Sequence, residues 1–184
     1  MATFEIVTER LHLRPVRSDD LPAVVGLGAD ARVMASVGGV LTADQCAGWL
    51  ERQVGQWIAH RLGPFAVERN GGFVRFVGLS RTDFDAGLIP AVEVAWRLAF
   101  DHWSKGYATE AARAVIEDAF ERLGLGEIAA VTTPNNTRSR RVMDRLGMVY
   151  SSSETFEHPR VPEGNPLRTH VVYRLTRETW RLGR

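Results

Sequence analysis

One carboxylate stands where the surrounding pattern asks for apolar side chains. The run from Val92 to Ala99 reads as a buried strand. Its two-residue period puts Val92, Val94, Trp96 and Leu98 on one face and Glu93, Ala95, Arg97 and Ala99 on the other. A carboxylate in such a strand can act as a general base whose proton affinity is set by its neighbours. It can equally be the partner of a nearby arginine, and the pattern leaves both readings open. Trp103-Ser-Lys-Gly-Tyr-Ala-Thr109 then joins this strand to a long helix. A helix N-terminus exposes unpaired N–H groups and a partial positive charge, the chemistry that holds phosphate. Gly106 lets a ligand approach the backbone closely, small Ala108 keeps the first turn open, and Lys105 can add a point charge. An ordinary strand-to-helix turn containing a glycine has the same local signature.

The elements around these groups can be read from period and punctuation. Arg10 to Val16 alternates as a half-buried strand, and Ser18-Asp19-Asp20 offers N-cap chemistry to a helix over Leu21 to Leu27. Gly38-Gly39 breaks the chain. Thr42 and Gln45 form a capping box that opens a second helix, where Cys46, Trp49, Leu50, Val54, Trp57 and Ile58 make a core stripe. Pro64 to Arg69 and Phe73 to Arg81 form a hairpin across Asn70-Gly71-Gly72, and Ile89 to Ala99 is the next strand. The helix behind Gly106 carries one apolar face from Ala108 to Leu123 and ends at Gly124 and Gly126. A strand over Glu127 to Thr133, a helix from Pro134-Asn135-Asn136 to Leu146, and strands near Met148 to Phe156 and Arg168 to Thr176 complete the chain. This order predicts an α+β fold, a single mixed, mostly antiparallel twisted sheet with helices on both faces, rather than a doubly wound nucleotide fold.

Composition narrows the function classes. With 184 residues and no repeat or low-complexity linker, residues 1–184 are expected to form one domain. Twenty-three Lys+Arg against 22 Asp+Glu leave a net charge of +1, which argues against a nucleic-acid or membrane partner. The run Arg138, Arg140, Arg141 and Arg145 has no interleaved aromatic residue and reads as a solvated helix face, with one arginine in reach of a phosphate. Cys46 is the single cysteine, and the five histidines show no metal-ligand spacing, so no metal is expected. Neither a secretory signal nor a membrane-length apolar run is present, and the expected location is the cytoplasm.

The string Glu93-Val-Ala-Trp-Arg-Leu-Ala-Phe-Asp-His-Trp103-Ser-Lys-Gly106-Tyr-Ala108-Thr-Glu-Ala111 is far more specific than its glycine. It resembles the acetyl-CoA signature Q/R-x-x-G-x-G/A of the GNAT superfamily of N-acetyltransferases. It is most similar to the branch of the ribosomal-protein N-terminal (alanine/serine) acetyltransferases. The resemblance runs from Thr8-Glu-Arg-Leu-His-Leu-Arg-Pro15 through Asn136-x-x-Ser139 and Leu146-Gly147-Met148 to Tyr173-Arg-Leu-Thr176. Trp103 departs from the commoner Gln or Arg. The resemblance implies the GNAT fold, with acetyl-CoA in a cleft between splayed strands, the fourth and fifth as counted here. Backbone groups of Arg97, Leu98 and Ala99 would pair with the pantetheine arm. The loop Trp103, Ser104, Lys105, Gly106, Tyr107, Ala108 and Thr109 would hold the pyrophosphate, and Asn136 would meet the cofactor where the strands part.

Acetyl transfer to nitrogen needs a neutral amine, a polarised thioester carbonyl and a proton for the departing thiolate. The resemblance favours Glu93 as the base. Many family members draw their acid from a tyrosine at the place held here by Met143. In the ribosomal-protein branch the serine of N-x-x-S is the proton donor, which points to Ser139, with helix capping as its alternative role. His158, in the polar Pro-rich loop Glu157 to Asn165, is a second candidate base. The expected acceptor is a primary amine, either a peptide N-terminus, an amino acid or a small molecule. A catalytically weak acetyl-CoA sensor is the alternative, and monomer and homodimer are both compatible with the family.

Overall fold

The computed structural model describes residues 4–81 and 92–183. One eight-stranded sheet runs in the order β1-β2-β3-β4-β5-β6-β8-β7. Its strands are β1 (Ile6–Val7), β2 (His12–Pro15), β3 (Pro64–Arg69), β4 (Gly72–Arg81), β5 (Val92–Leu98), β6 (Glu127–Thr132), β7 (Val149–Glu157) and β8 (Thr169–Thr176). Every neighbouring pair is antiparallel except β5 and β6. The helices are α1 (Leu21–Gly28), α2 (Ala31–Met34), α3 (Ala43–His60), α4 (Tyr107–Glu121), α5 (Thr137–Arg145) and α6 (Arg177–Leu182).

Alternation along the central strands divides the core between the two faces. Phe65, Val67, Val77, Leu79, Val92 and Val94 pack against the apolar stripe of α4, whose Ala111, Val115, Ile116, Ala119 and Phe120 are buried. Burying one such large side chain stabilises the fold by about 1.5–3 kcal/mol. Ala66 and Phe76 point the other way and meet Val24 and Leu27 of α1, Val33 of α2, and Cys46 and Leu50 of α3.

Local chemistry accounts for most boundaries. Thr42 Oγ1 accepts from Gln45 N at 3.2 Å while Gln45 Oε1 accepts from Thr42 N at 2.9 Å, the expected capping box. Asn70 and Gly71 take φ of 50° and 74°, the left-handed pair that closes a tight hairpin between β3 and β4. Asp20 is the N-cap residue of α1, as the sequence suggests, but its side chain makes no cap bond there. Its carboxylate closes the preceding 3-10 turn at Arg17 N and receives two bonds from the buried Arg14 guanidinium, at 2.6 and 3.0 Å. Ile58 is also corrected: it is 80% exposed, because Trp57 takes the inner position and donates to the Pro64 carbonyl at 2.6 Å.

The expected strand from Ile89 begins outside the described residues, and its described part is Val92–Leu98. Ala99 is not in the strand; it caps a 3-10 turn over Phe100–His102. The short β1, α2 and α6 were not expected. The last is anchored by Trp180, which packs near Phe120 in the core.

One seam in this sheet is thin. Among the described residues β5 matches β4 at seven successive positions and β6 matches β8 at six, yet β5 and β6 pair only at Glu93 and Ala129. From Val94 to Leu98, β5 has no further ladder partner on β6.

Candidate active site

Glu93 sits at the last shared rung. Ser80 lies opposite it on β4 and donates its hydroxyl to Glu93 Oε1 at 3.0 Å. The carboxylate is partly buried, on the face opposite Val92, Val94 and Leu98, as the two-residue period predicts. Ala95, next along that face, is exposed, and Arg97 follows. Burial pushes the Arg97 guanidinium below its usual pKa.

After β5 the chain is folded back by its own contacts. Trp103 donates its indole N–H to the Leu98 carbonyl at 2.9 Å, and the Ala99 carbonyl accepts from His102 N. Of the three residues expected to pair with a pantetheine arm, Leu98 and Ala99 therefore already hold one internal bond each at their carbonyls. Ser104 and Gly106 take positive φ of 60° and 81°, and Gly106 becomes the N-cap of α4 without any side-chain cap. Among the described residues no acceptor meets the N–H groups of Gly106, Tyr107, Ala108 or Thr109. The Thr109 hydroxyl is buried without a partner as well. A Cβ built at Gly106 would lie 3.3 Å from Arg10 Nη2, so a side chain there would crowd the cradle.

The loop is clasped from the turn before β2. Arg10 donates to the Lys105 carbonyl at 3.1 Å, binds Glu110 through Nε at 2.6 Å, and stacks 4.9 Å from the Tyr107 ring centroid. Thr8 Oγ1 donates to Glu110 Oε1 at 2.6 Å. Burial pushes the Glu110 carboxyl up, but the bonds from Thr8 and Arg10 outweigh it and hold the pKa below the ordinary value. Sequence reasoning missed this clasp. Its only trace was that Thr8, Arg10 and Glu110 belong to the two stretches that carry the family resemblance.

Across the opening, Asn136 caps α5, accepting from Ser139 N at 3.2 Å and donating Nδ2 to Ser139 Oγ at 3.2 Å. Ser139 thus serves the cap, and its own hydroxyl proton is left free to donate. Met143 is buried in the core and offers no proton. Arg138 lies 4.4 Å over the Trp103 ring, linking the two walls of the cleft. Arg140 is half-buried and donates to Tyr173 Oη at 3.0 Å, while Arg138, Arg141 and Arg145 are exposed, as expected of a solvated face. Lys105 is exposed. β8 starts beside the end of β6, so the loop holding His158 rises at the same sheet edge as Asn136. His158 Nδ1 accepts from Arg160 N at 3.2 Å, and its ring lies 4.9 Å from that of His170.

A family model described as an acetyltransferase (GNAT) domain matches residues 10–149, a stretch that holds Arg10 and Glu110 of the clasp, β5, the cradle and α5. The chain belongs to the GNAT acetyltransferases. It is 29% identical over 196 residues to the FsC-acetyl coenzyme A-N(2)-transacetylase of Aspergillus fumigatus, covering 94% of this chain and 76% of that protein. Among solved structures, an acetyltransferase from Agrobacterium tumefaciens superposes with a TM-score of 0.78 at 28% identity, over 96% of both chains. Mycobacterium smegmatis RimJ, solved with a CoA disulfide, shares the fold at a TM-score of 0.72 and 20% identity, over 91% of this chain and 82% of that one.

GNAT acetyltransferases use acetyl-CoA, and this chain's residues fit it. Four unclaimed N–H groups from Gly106 to Thr109 suit a pyrophosphate, and the unpaired edge of β5 beyond Glu93 suits an extended arm. Among the described residues no cluster of His, Cys, Asp or Glu could hold a metal ion, and no helix is long and apolar enough to cross a membrane.

Proposed function

We propose that the protein transfers the acetyl group of acetyl-CoA to a primary amine by direct attack of the amine on the thioester. The observation that carries this reading is the uncapped N-terminus of α4 at the mouth of the one-rung opening between β5 and β6. Acetyl-CoA supplies an activated carbonyl and a thiolate leaving group. Glu93, oriented by Ser80, takes the proton of the incoming ammonium, directly or through water, so that nitrogen has a lone pair to offer. Backbone N–H groups on the open edge of β5 stabilise the oxyanion. Ser139 gives its proton to the departing sulfur and takes one back from the nitrogen of the collapsing intermediate, and Arg138 stacks on Trp103 at the start of the cofactor loop. The relative from Aspergillus fumigatus, whose name specifies transfer to a nitrogen, supports an amine acceptor.

Calorimetric titration of acetyl-CoA beside CoA, followed by thiol release against a panel of amines and short peptides, tests the reading. Binding in the micromolar range with thiol release on one class of amine is expected. Binding without turnover would favour a sensor, a reading that gains support from Met143 at the tyrosine place and from Ser139 engaged in a cap. Absence of binding would overturn both.

A further inference from the structure

The face of β5 that carries Glu93 has a second charged residue four positions on. Among the described residues, the Arg97 guanidinium makes no hydrogen bond or ion pair with any side chain or carbonyl. Its surroundings are apolar: Leu27 of α1, Cys46 and Trp49 of α3, and Phe76 of β4 line a small cavity with it. The cavity measures about 10 Å³, room for one oxygen-sized group. Burial lowers the pKa of Arg97, though a guanidinium still stays charged at neutral pH. A partly desolvated guanidinium with no counter-ion among the described residues destabilises the fold, and a bound anion would offset this.

Between the two charged residues the face is bare. Ala95 is exposed in mid-strand, so the stretch from Glu93 to Arg97 is a trough with a carboxylate at one end and, at the other, a guanidinium with no partner among the described residues. Four strand residues span about 13 Å between Cα atoms, and both long side chains can lean inward over Ala95.

We infer that Arg97 anchors a carboxylate of the acceptor, so that the substrate is a small amine carrying its own acid group. One carboxylate oxygen enters the apolar cavity beside the guanidinium, the body of the molecule lies over Ala95, and the amine reaches Glu93. The inference rests on the acetyl-transfer reading for its amine end, but not for its anion end.

The experiment compares short ω-amino acids and α-amino acids with their carboxamides, in wild type, Arg97→Gln and Arg97→Lys. Wild type is expected to favour acids over amides at least about tenfold in kcat/KM, as a charge-assisted bond to a carboxylate would give. Arg97→Gln should erase the preference and Arg97→Lys restore part of it, with the Kd of acetyl-CoA the same in all three. Because Arg97→Gln removes an unpaired charge, its Tm should stay level or rise. Equal use of acids and amides by wild type would overturn the inference, as would a preference that survives Arg97→Gln. A lowered Tm with the preference intact would assign Arg97 to the core. Should no amine in the panel turn over, the acetyl-transfer reading fails and direct calorimetry decides the anion end. Acids but not amides binding the CoA-saturated protein, with that binding lost in Arg97→Gln, would uphold the anchor. No such difference would overturn it.

Discussion

On the proposed reaction, a base must stay close to the amine and still be free to take its proton. Ser80 donates to one oxygen of Glu93 and fixes the orientation of the carboxylate. Glu93→Gln should lower kcat by about 10²-fold or more while the Kd of acetyl-CoA changes little, measured by thiol release and calorimetry. An unchanged rate at neutral pH would remove Glu93 from the chemistry. Its oddity was visible in the sequence, because an acid inside an apolar alternating run breaks a pattern. The isolation of Arg97 was not. Alternation places Arg97 on the face of Glu93, but whether a counter-ion meets it depends on α1 and α3, distant in the chain. The bonds from Thr8 and Arg10 to Glu110 were equally hidden, since they join residues about a hundred positions apart.

At the scale of elements, α4 is the helix on which binding depends, and its first turn is held from outside. Glu110 ionises more readily in the folded protein than at the ordinary value of 4.5, so its bonds contribute fully above that value. The contribution is lost as pH falls through the lower, folded-state pKa. Glu110→Gln should therefore lower Tm at neutral pH, and its deficit relative to wild type should shrink as pH falls below about 4.5, followed by thermal melts across pH. The long elements could be read from sequence because their signals are local: a capping box for α3, a glycine before α4, an asparagine before α5. The short ones could not. β1 has two residues and α2 has four, and such pieces exist only because their neighbours complete their hydrogen bonds. Trp180 showed no partner in sequence, and it is the docking of this ring that holds α6.

The whole molecule is a sheet with a core on each face, and the α4 side is the larger of the two. Phe120→Ala should cost about 3–5 kcal/mol in denaturant unfolding, because its site in α4 is closed by strands and by Trp180. The α+β class and the two-sided packing followed from the order of elements, while the strand order itself did not, since β8 inserts between β6 and β7 through contacts no local pattern encodes. The single rung between β5 and β6 has a dynamic consequence. Amides along this seam lack the ladder that slows their exchange elsewhere, so the sheet should breathe there as two plates, β1–β5 and β6–β8. A ligand lying in the seam would act as a splint. Hydrogen–deuterium exchange should therefore show amides in the β4–β5 and β6–β8 ladders slow with or without acetyl-CoA, and the seam-facing amides of β5 and β6 slow only when it is added.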